Sequence, residues 1–443
     1  MNAPPHLNVR RLFLAGNLSI LMIGLGFAVR ATIASDLQNE LFNKIDLANS
    51  AGMIGSALGI TFTGFALTLL FGSALVDLIG IRWMLAISAL GFLAGSVFVL
   101  AAWWVSIGVM TYPLILIGFL LMGIGWGAVE AGSNPMVAAL YPDDKTHRLN
   151  VLHAWWPAGI VIGGLGGLAL RGLQVPWQIN LLFVVVPALI LLYLVLSLEF
   201  PVTERVASGV SYGDMVRELR LQPMFFLWLF TMMLTAATEL APGQWVDLAL
   251  SRVVGMRGIL LLVYVSGLMF VMRHFAGALA HRLSSVGVLW ISSALAAIGL
   301  IALSIASNPV TALLAATIWG VGVCYMWPTM VASVAERFPR GGALFMGLTG
   351  FAGGLSIQFV LPRLGAIFDR AKLEAAGGVE KFATLPPDQL NAVLRRASVE
   401  SFQAVALIPL ALIPIFGFIW LRDRARRKRR HETAEPALAF EKR

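Results

Sequence analysis

Twelve apolar stretches, each long enough to cross a lipid bilayer, account for most of this chain and exclude a water-soluble fold. They fall near 12–34, 51–75, 83–103, 108–139, 150–170, 178–198, 223–247, 257–280, 286–306, 310–335, 343–367 and 402–421. A crossing helix needs roughly 20 residues. Hydrophobic residues make up 58% of the chain against 12% charged, and mean hydropathy is +0.83, more apolar surface than a soluble core can hide. The stretches are continuous rather than alternating at every second residue, which excludes an outer-membrane barrel. The expectation is an all-α polytopic membrane protein of twelve transmembrane helices.

The chain also repeats itself. Gly123-Ile-Gly125 runs on to Tyr141-Pro142, and Gly320-Val-Gly322 runs on to Phe338-Pro339. Both pairs are offset by 197 positions (123 to 320, 142 to 339). Two related halves of six helices each are the architecture of a carrier whose site lies between them. The polar interruption near the centre gives the boundaries: 1–200 as the first bundle, 201–221 as a cytoplasmic linker and 222–443 as the second bundle with its basic tail. The charged linker reads as a tether that lets the bundles rock. Pro387 opens a segment read as a short amphipathic helix outside the bilayer.

Basic residues set the orientation. With the N-terminus inside, inner segments hold Arg10, Arg11, Arg82, Lys145, Arg148, Arg205, Arg217, Arg220, Arg282, Arg337, Arg340 and the tail from Arg422 to Arg430. Short outer loops hold Lys44, Arg171 and Arg252, with Arg257 at the edge. Both termini are therefore expected in the cytoplasm, in the cytoplasmic (inner) membrane, and the net charge of +9 is this inward bias rather than a nucleic-acid surface. Arg10-Arg11 before a full-length apolar run reads as a retained first helix. The lone Cys324 reads as a packing residue.

Charges at bilayer depth are costly and mark a cavity or a partner. Four stand out: Arg30, Glu130, His153 and Glu239. Glu130 and Asn134 share a helical face, as do Asn150, His153 and Trp156. Glu239 precedes Pro242-Gly243, read as a helix break, with Gln244 and Trp245 following. Acceptors, donors and aromatic faces together suit a polar solute such as a sugar. Each residue also has a plain structural role open to it. Arg30 reads as the counter-ion of Glu130 or Glu239, and His153 fits an interhelical hydrogen bond as well as ligand contact. Glycines at Gly52, Gly55 and Gly59, in the fifth span, and at Gly347, Gly350, Gly353 and Gly354 read as close helix contacts.

Two inner loops carry a further motif. Ser73-Ala-Leu-Val-Asp77-Leu-Ile-Gly80-Ile-Arg82 resembles the major facilitator loop signature, and Arg273 through Gly277, Leu279 and Arg282 resembles its second copy. The resemblance implies an inner-side latch formed by Asp77, Arg82, Arg273 and Arg282. Glu130-Ala-Gly-Ser-Asn134-Pro135 with Arg148-Leu-Asn150 resembles the fourth and fifth helices of the fucose permease group of sugar symporters. Trp327-Pro328-Thr329, Gly353-Gly354 with Pro362, Gly365 and Asp369, and Ala236-Ala-Thr-Glu239 are similar to their tenth, eleventh and seventh helices. That family's first-helix aspartate has no counterpart here; Thr32 takes its place.

The resemblance implies the major facilitator fold, two pseudo-symmetric six-helix bundles, and assigns Glu130 to sugar binding and proton coupling. The expected solute ligands are Glu130, Asn134, Asn150, His153, Trp156, Glu239, Gln244, Trp327 and Gln358, with Glu130, Glu239 and Arg30 serving coupling. The expected partners are a sugar-like small molecule, a coupling proton or sodium ion and the lipid bilayer, with no nucleic acid, and the carrier is expected to be a monomer. No nucleophile–base pair, metal-ligand spacing or phosphate loop is present in the sequence, so neither an enzyme nor a metal or cofactor is expected. The competing reading is an exporter of amphipathic compounds with a cavity walled by Met and Phe. A non-transporting membrane sensor is a further alternative.

Overall fold

The computed structural model describes residues 7–45, 50–105, 107–256 and 258–440. Arg257 lies outside them, as do the surroundings of Gly52 and Gly55 and the side chains of Gln244, Trp245 and Asp369. Among the described residues, eleven helices are long and apolar enough to cross a membrane, and a twelfth apolar helix, Leu260–Arg273, is shorter.

We number the crossings in chain order. The first half holds α1 (Val9–Leu37), α2 (Ser50–Ile79), α3 (Ile81–Trp104), α4 (Thr111–Leu140), α5 (Lys145–Gly172) and α6 (Leu182–Ser197). The second holds α7 (Pro223–Val254), α8 (Gly258–Arg273), α9 (Ser285–Ser304), α10 (Pro309–Val323 resuming as Met326–Arg337), α11 (Gly342–Ala376) and α12 (Pro387–Phe440).

The halves repeat in packing as well as in sequence. Within the first, α1 packs on α5 and α6, α2 and α3 on α4, and α3 on α6. The second repeats every one of these neighbours: α7 on α11 and α12, α8 and α9 on α10, and α9 on α12. The Gly-x-Gly pairs show why. A Cβ on Gly123 would stand 2.1 Å from the Thr61 carbonyl oxygen on α2, and one on Gly125 would meet α3 at Phe92 and Ser88 (2.9 Å each). Their counterparts do the same job: Gly320 faces Val265 of α8, and a Cβ on Gly322 would come within 2.4 Å of the Ala296 nitrogen on α9. Each first glycine admits the second helix of its half, and each second glycine admits the third.

Between the halves, α2 lies against α11, and α5 against α8 and the second part of α10. The glycines of α11 open this seam. A Cβ on Gly350 would meet Leu69, and one on Gly354 would meet Phe65, both on α2.

Three sequence expectations need correction. Pro242-Gly243 does not break α7, which continues to Val254. The Thr238 carbonyl, which Pro242 cannot bond, accepts from the Trp319 indole instead at 3.3 Å, so a neighbouring helix satisfies the group that proline leaves free. The segment from Pro387 is not a separate outer helix; it runs unbroken into the last crossing. Gly59 makes no close contact among the described residues, none of whose heavy atoms lies within 4 Å of its would-be Cβ.

The connecting segment is docked rather than loose. It forms helices Glu204–Ala207 and Tyr212–Leu221, the latter capped by the Ser211 hydroxyl accepting from the Asp214 N–H. Thr203 donates to Asp77, Arg205 Nε reaches Asp77 Oδ2 at 2.5 Å, and Lys145 pairs with Glu204 at 2.8 Å. Glu218 faces Arg340 of the second half at 3.7 Å. Gly342 sits at φ +50, with the Arg205 side chain 3.1 Å from where its Cβ would lie. A side chain there would be strained and would crowd the segment.

Candidate functional site

Midway along the crossings, the two halves enclose a cavity of about 440 Å³. It is lined by Phe62 and Phe65 of α2, Trp126 and Glu130 of α4, His153 and Trp156 of α5, Glu239 and Leu240 of α7, Arg273 of α8, Trp327 of α10 and Gly354 of α11. A second hollow of about 380 Å³ shares Trp156, Glu239 and Leu240 with it.

Helical spacing builds the first-half wall. Trp126, Glu130 and Asn134 recur every four residues and so share one face of α4. Asn134 Nδ2 donates to Glu130 Oε2 at 2.7 Å, and His153 Nε2 lies 2.9 Å from Asn134 Oδ1. With the amide oriented toward the carboxylate, Asn134 Oδ1 can only accept, so His153 Nε2 carries a proton. The imidazole also lies 3.7 Å from Glu130 Oε2. All three side chains are buried. Among the described residues, Glu130 Oε1 accepts no hydrogen bond, which leaves it available to a ligand.

The second-half wall rests on a break in α10. The helix stops at Val323 and resumes at Met326. Arg273 Nε donates to the Cys324 carbonyl at 2.6 Å, and the Trp327 N–H donates to Glu239 Oε2 at 3.3 Å. Arg273 Nη2 and Glu239 Oε1 then meet at 3.0 Å, so one ion pair satisfies both ends of the break. Arg273 Nη1 crosses to the first half, to the His153 carbonyl at 2.7 Å. Room for the Trp327 ring comes from Gly353, whose Cβ would stand 2.6 Å from it.

Aromatic rings supply most of the remaining surface. Phe65 and Trp126 lie 4.6 Å apart between centroids, Phe62 and Trp126 5.5 Å apart, and Phe65 reaches across the halves to Trp327 at 6.4 Å. Trp156 meets Phe27 edge to face at 5.8 Å, whereas Trp155 turns away to Phe270 on α8.

Of the expected ligands, Glu130, His153, Trp156, Glu239 and Trp327 line the cavity, and Asn134 stands behind Glu130. Asn150 does not line it. Its amide donates to the Thr146 carbonyl and to Thr329 Oγ1 at 3.2 Å, joining the halves below the cavity. Gln358 is exposed on α11, and the Gln244 side chain lies outside the described residues. Arg30 is not the counter-ion of either carboxylate. It is buried in the first half with Nη1 4.0 Å from the Met122 sulfur, and among the described residues it pairs with no acid.

The inner latch is also arranged differently. Asp77 engages the connecting segment, Arg82 donates to the Leu196 carbonyl of its own half at 2.6 Å, and Arg282 is exposed. Arg273 belongs to the cavity. Sequence reasoning missed Phe62, Phe65 and Trp126 as wall residues, and it put Arg273 in the inner latch rather than in the cavity wall. Trp126 was findable one turn before Glu130, and Arg273 was findable because it falls inside the apolar stretch 257–280.

Among the described residues, the hydrogen bonds between the two halves gather toward one end, the end that carries the connecting segment. Thr146 Oγ1 lies 3.1 Å from Ser285 Oγ and donates to Glu336 Oε1 at 2.5 Å. A Cβ on Gly277 would touch His147, and one on Gly347 would overlap Ser73. The linker end is closed.

The Major Facilitator Superfamily profile matches residues 12–360. No curated protein sequence matches the chain. The crystal structure of the E. coli fucose:proton symporter is similar at 16% identity and a TM-score of 0.63, covering 90% of this chain and 99% of that one. The proton:xylose symporter bound to 6-bromo-6-deoxy-D-glucose is similar at 16% identity and 0.67, over 92% and 96%. The human organic anion transporter MFSD10 is similar at 13% identity and 0.68, over 94% and 100%. At these identities the likeness establishes the fold.

Proposed function

Since the chain belongs to the Major Facilitator Superfamily, and is therefore a membrane transporter rather than an enzyme, we propose that its cargo is a small polar solute of the sugar class. Residues 1–200 and 222–443 rock against each other about the midplane cavity, exposing it first to one side of the cytoplasmic membrane and then to the other. Both termini lie in the cytoplasm, so the closed linker end is the cytoplasmic end. The carrier works as a monomer.

One observation carries the solute assignment. Four ionisable side chains, Glu130, His153, Glu239 and Arg273, share a cavity with five aromatic rings. The C–H face of a sugar ring lies well on an indole or phenyl face, and its hydroxyls need charged or polar partners at the edge. Symporters for fucose and for xylose share this fold. Glu130 is the coupling group: its free oxygen can take up a proton with the solute and give it up on the other side, because an acid with no cation paired to it is costly at bilayer depth.

The aromatic share of the wall, and the likeness in fold to an organic anion transporter, favour a second reading as a carrier of amphipathic compounds. Uptake into proteoliposomes decides. Sugars from a monosaccharide panel should accumulate under an acid-outside gradient and not under a sodium gradient. Failure of every sugar, together with saturable transport of an amphipathic ion, would replace the assignment.

A further inference from the structure

We propose that Arg273 is a positioning residue that ties the state of the cavity to closure of the linker end, by docking on two carbonyls that prolines have set free, one in each half.

The two backbone acceptors of Arg273 share a sequence relationship. The His153 carbonyl would bond the N–H of residue 157 in a regular helix, and residue 157 is proline. The Cys324 carbonyl would bond the N–H of residue 328, and residue 328 is also proline. Proline has no N–H to give, so each carbonyl is left in the apolar interior wanting a donor. A guanidinium presents donors in a fixed fork, and this one meets both carbonyls at 2.7 and 2.6 Å while keeping Glu239 at 3.0 Å. Arg273 is 1% exposed, so water does not compete for these bonds.

The three bonds differ in what they join. Glu239 and Cys324 lie in the same half as Arg273 and fix its place at the break in α10. His153 lies in the other half, and its side chain is held by Asn134, which holds Glu130. The Nη1 bond is therefore a strut between the two carboxylate clusters, and it must break for the halves to part at the linker end. A solute group or proton that draws Glu239 away from Arg273 loosens the guanidinium and with it the strut. The inference rests on alternating access and on no particular solute.

The test reads closure directly, with no solute present. Thr146→Cys and Ser285→Cys replace two hydroxyls 3.1 Å apart across the halves, in a Cys324→Ala background of the full chain in nanodiscs. Oxidative cross-linking should be fast in this parent. In Arg273→Gln combined with Glu239→Gln, which removes both members of the ion pair together, it should slow about tenfold. Pro157→Ala is the sharper variant: it keeps both charges and returns an N–H to the His153 carbonyl, so it should repair the helix and still slow cross-linking. Cross-linking of the Pro157→Ala protein at the parent rate would overturn the proposal.

Discussion

Arg205 closes on Asp77 at 2.5 Å, fastening the segment between the halves to the end of α2. Both side chains are withdrawn from solvent, with 9% and 1% exposure. A buried pair stripped of one partner leaves an uncompensated charge, which costs on the order of 3 kcal/mol or more. Asp77→Ala should therefore lower the melting temperature and expose the segment to trypsin at Arg205, and adding Arg205→Ala should recover part of the loss. A double-mutant cycle followed by melting measures the coupling; additive losses would mean that the pair holds nothing.

Asn134 should matter through its two bonds rather than through solute contact. Asn134→Leu removes the donor to the Glu130 carboxylate, worth about 1.5–3 kcal/mol, and the acceptor for His153, worth about 0.5–1.5 kcal/mol. Solute affinity should fall at least tenfold while the protein stays folded, as titration calorimetry on the purified carrier would show. Unchanged affinity would place Asn134 outside the binding machinery.

Glycine substitutions should separate close contact from open space. A Cβ on Gly24 would stand 2.1 Å from the Trp156 carbonyl oxygen, and one on Gly159 2.4 Å from that of Leu21. Both obstacles are backbone and cannot swing aside, so Gly24→Ala and Gly159→Ala should each push α1 off α5 and cost about 2 kcal/mol or more. Gly59→Ala meets nothing and should be neutral, or stabilising by about 0.5–1 kcal/mol through helix propensity. Melting of the three variants side by side is the check.

Sequence alone reached what depends on local spacing. The crossings follow from unbroken apolar length, the repeat from matched Gly-x-Gly pairs, and the common face of Glu130 and Asn134 from a separation of four on one helix. It failed where the outcome depends on how helices turn toward each other. Arg30 and Arg273 both sit at depth, and only the rotation of α8 brings Arg273, not Arg30, to Glu239. The docked connecting segment was illegible for a related reason: its partners Asp77, Lys145 and Arg340 are scattered along the chain, while its polar composition reads equally well as a free tether. Pro157 and Pro328 were visible in the sequence, but their use as makers of free carbonyls appears only once Arg273 is placed between them.

The central claim is that Glu130 links proton movement to solute movement, and Glu130→Gln in proteoliposomes tests it most directly. The amide keeps the shape and the bond to Asn134 while removing the titrating group. Accumulation against a gradient should vanish, while counterflow exchange of the same solute should stay within about twofold of the parent, a difference of about 0.4 kcal/mol in rate terms. Equal loss of both activities would contradict the account and leave Glu130 as a solute ligand or a structural acid alone.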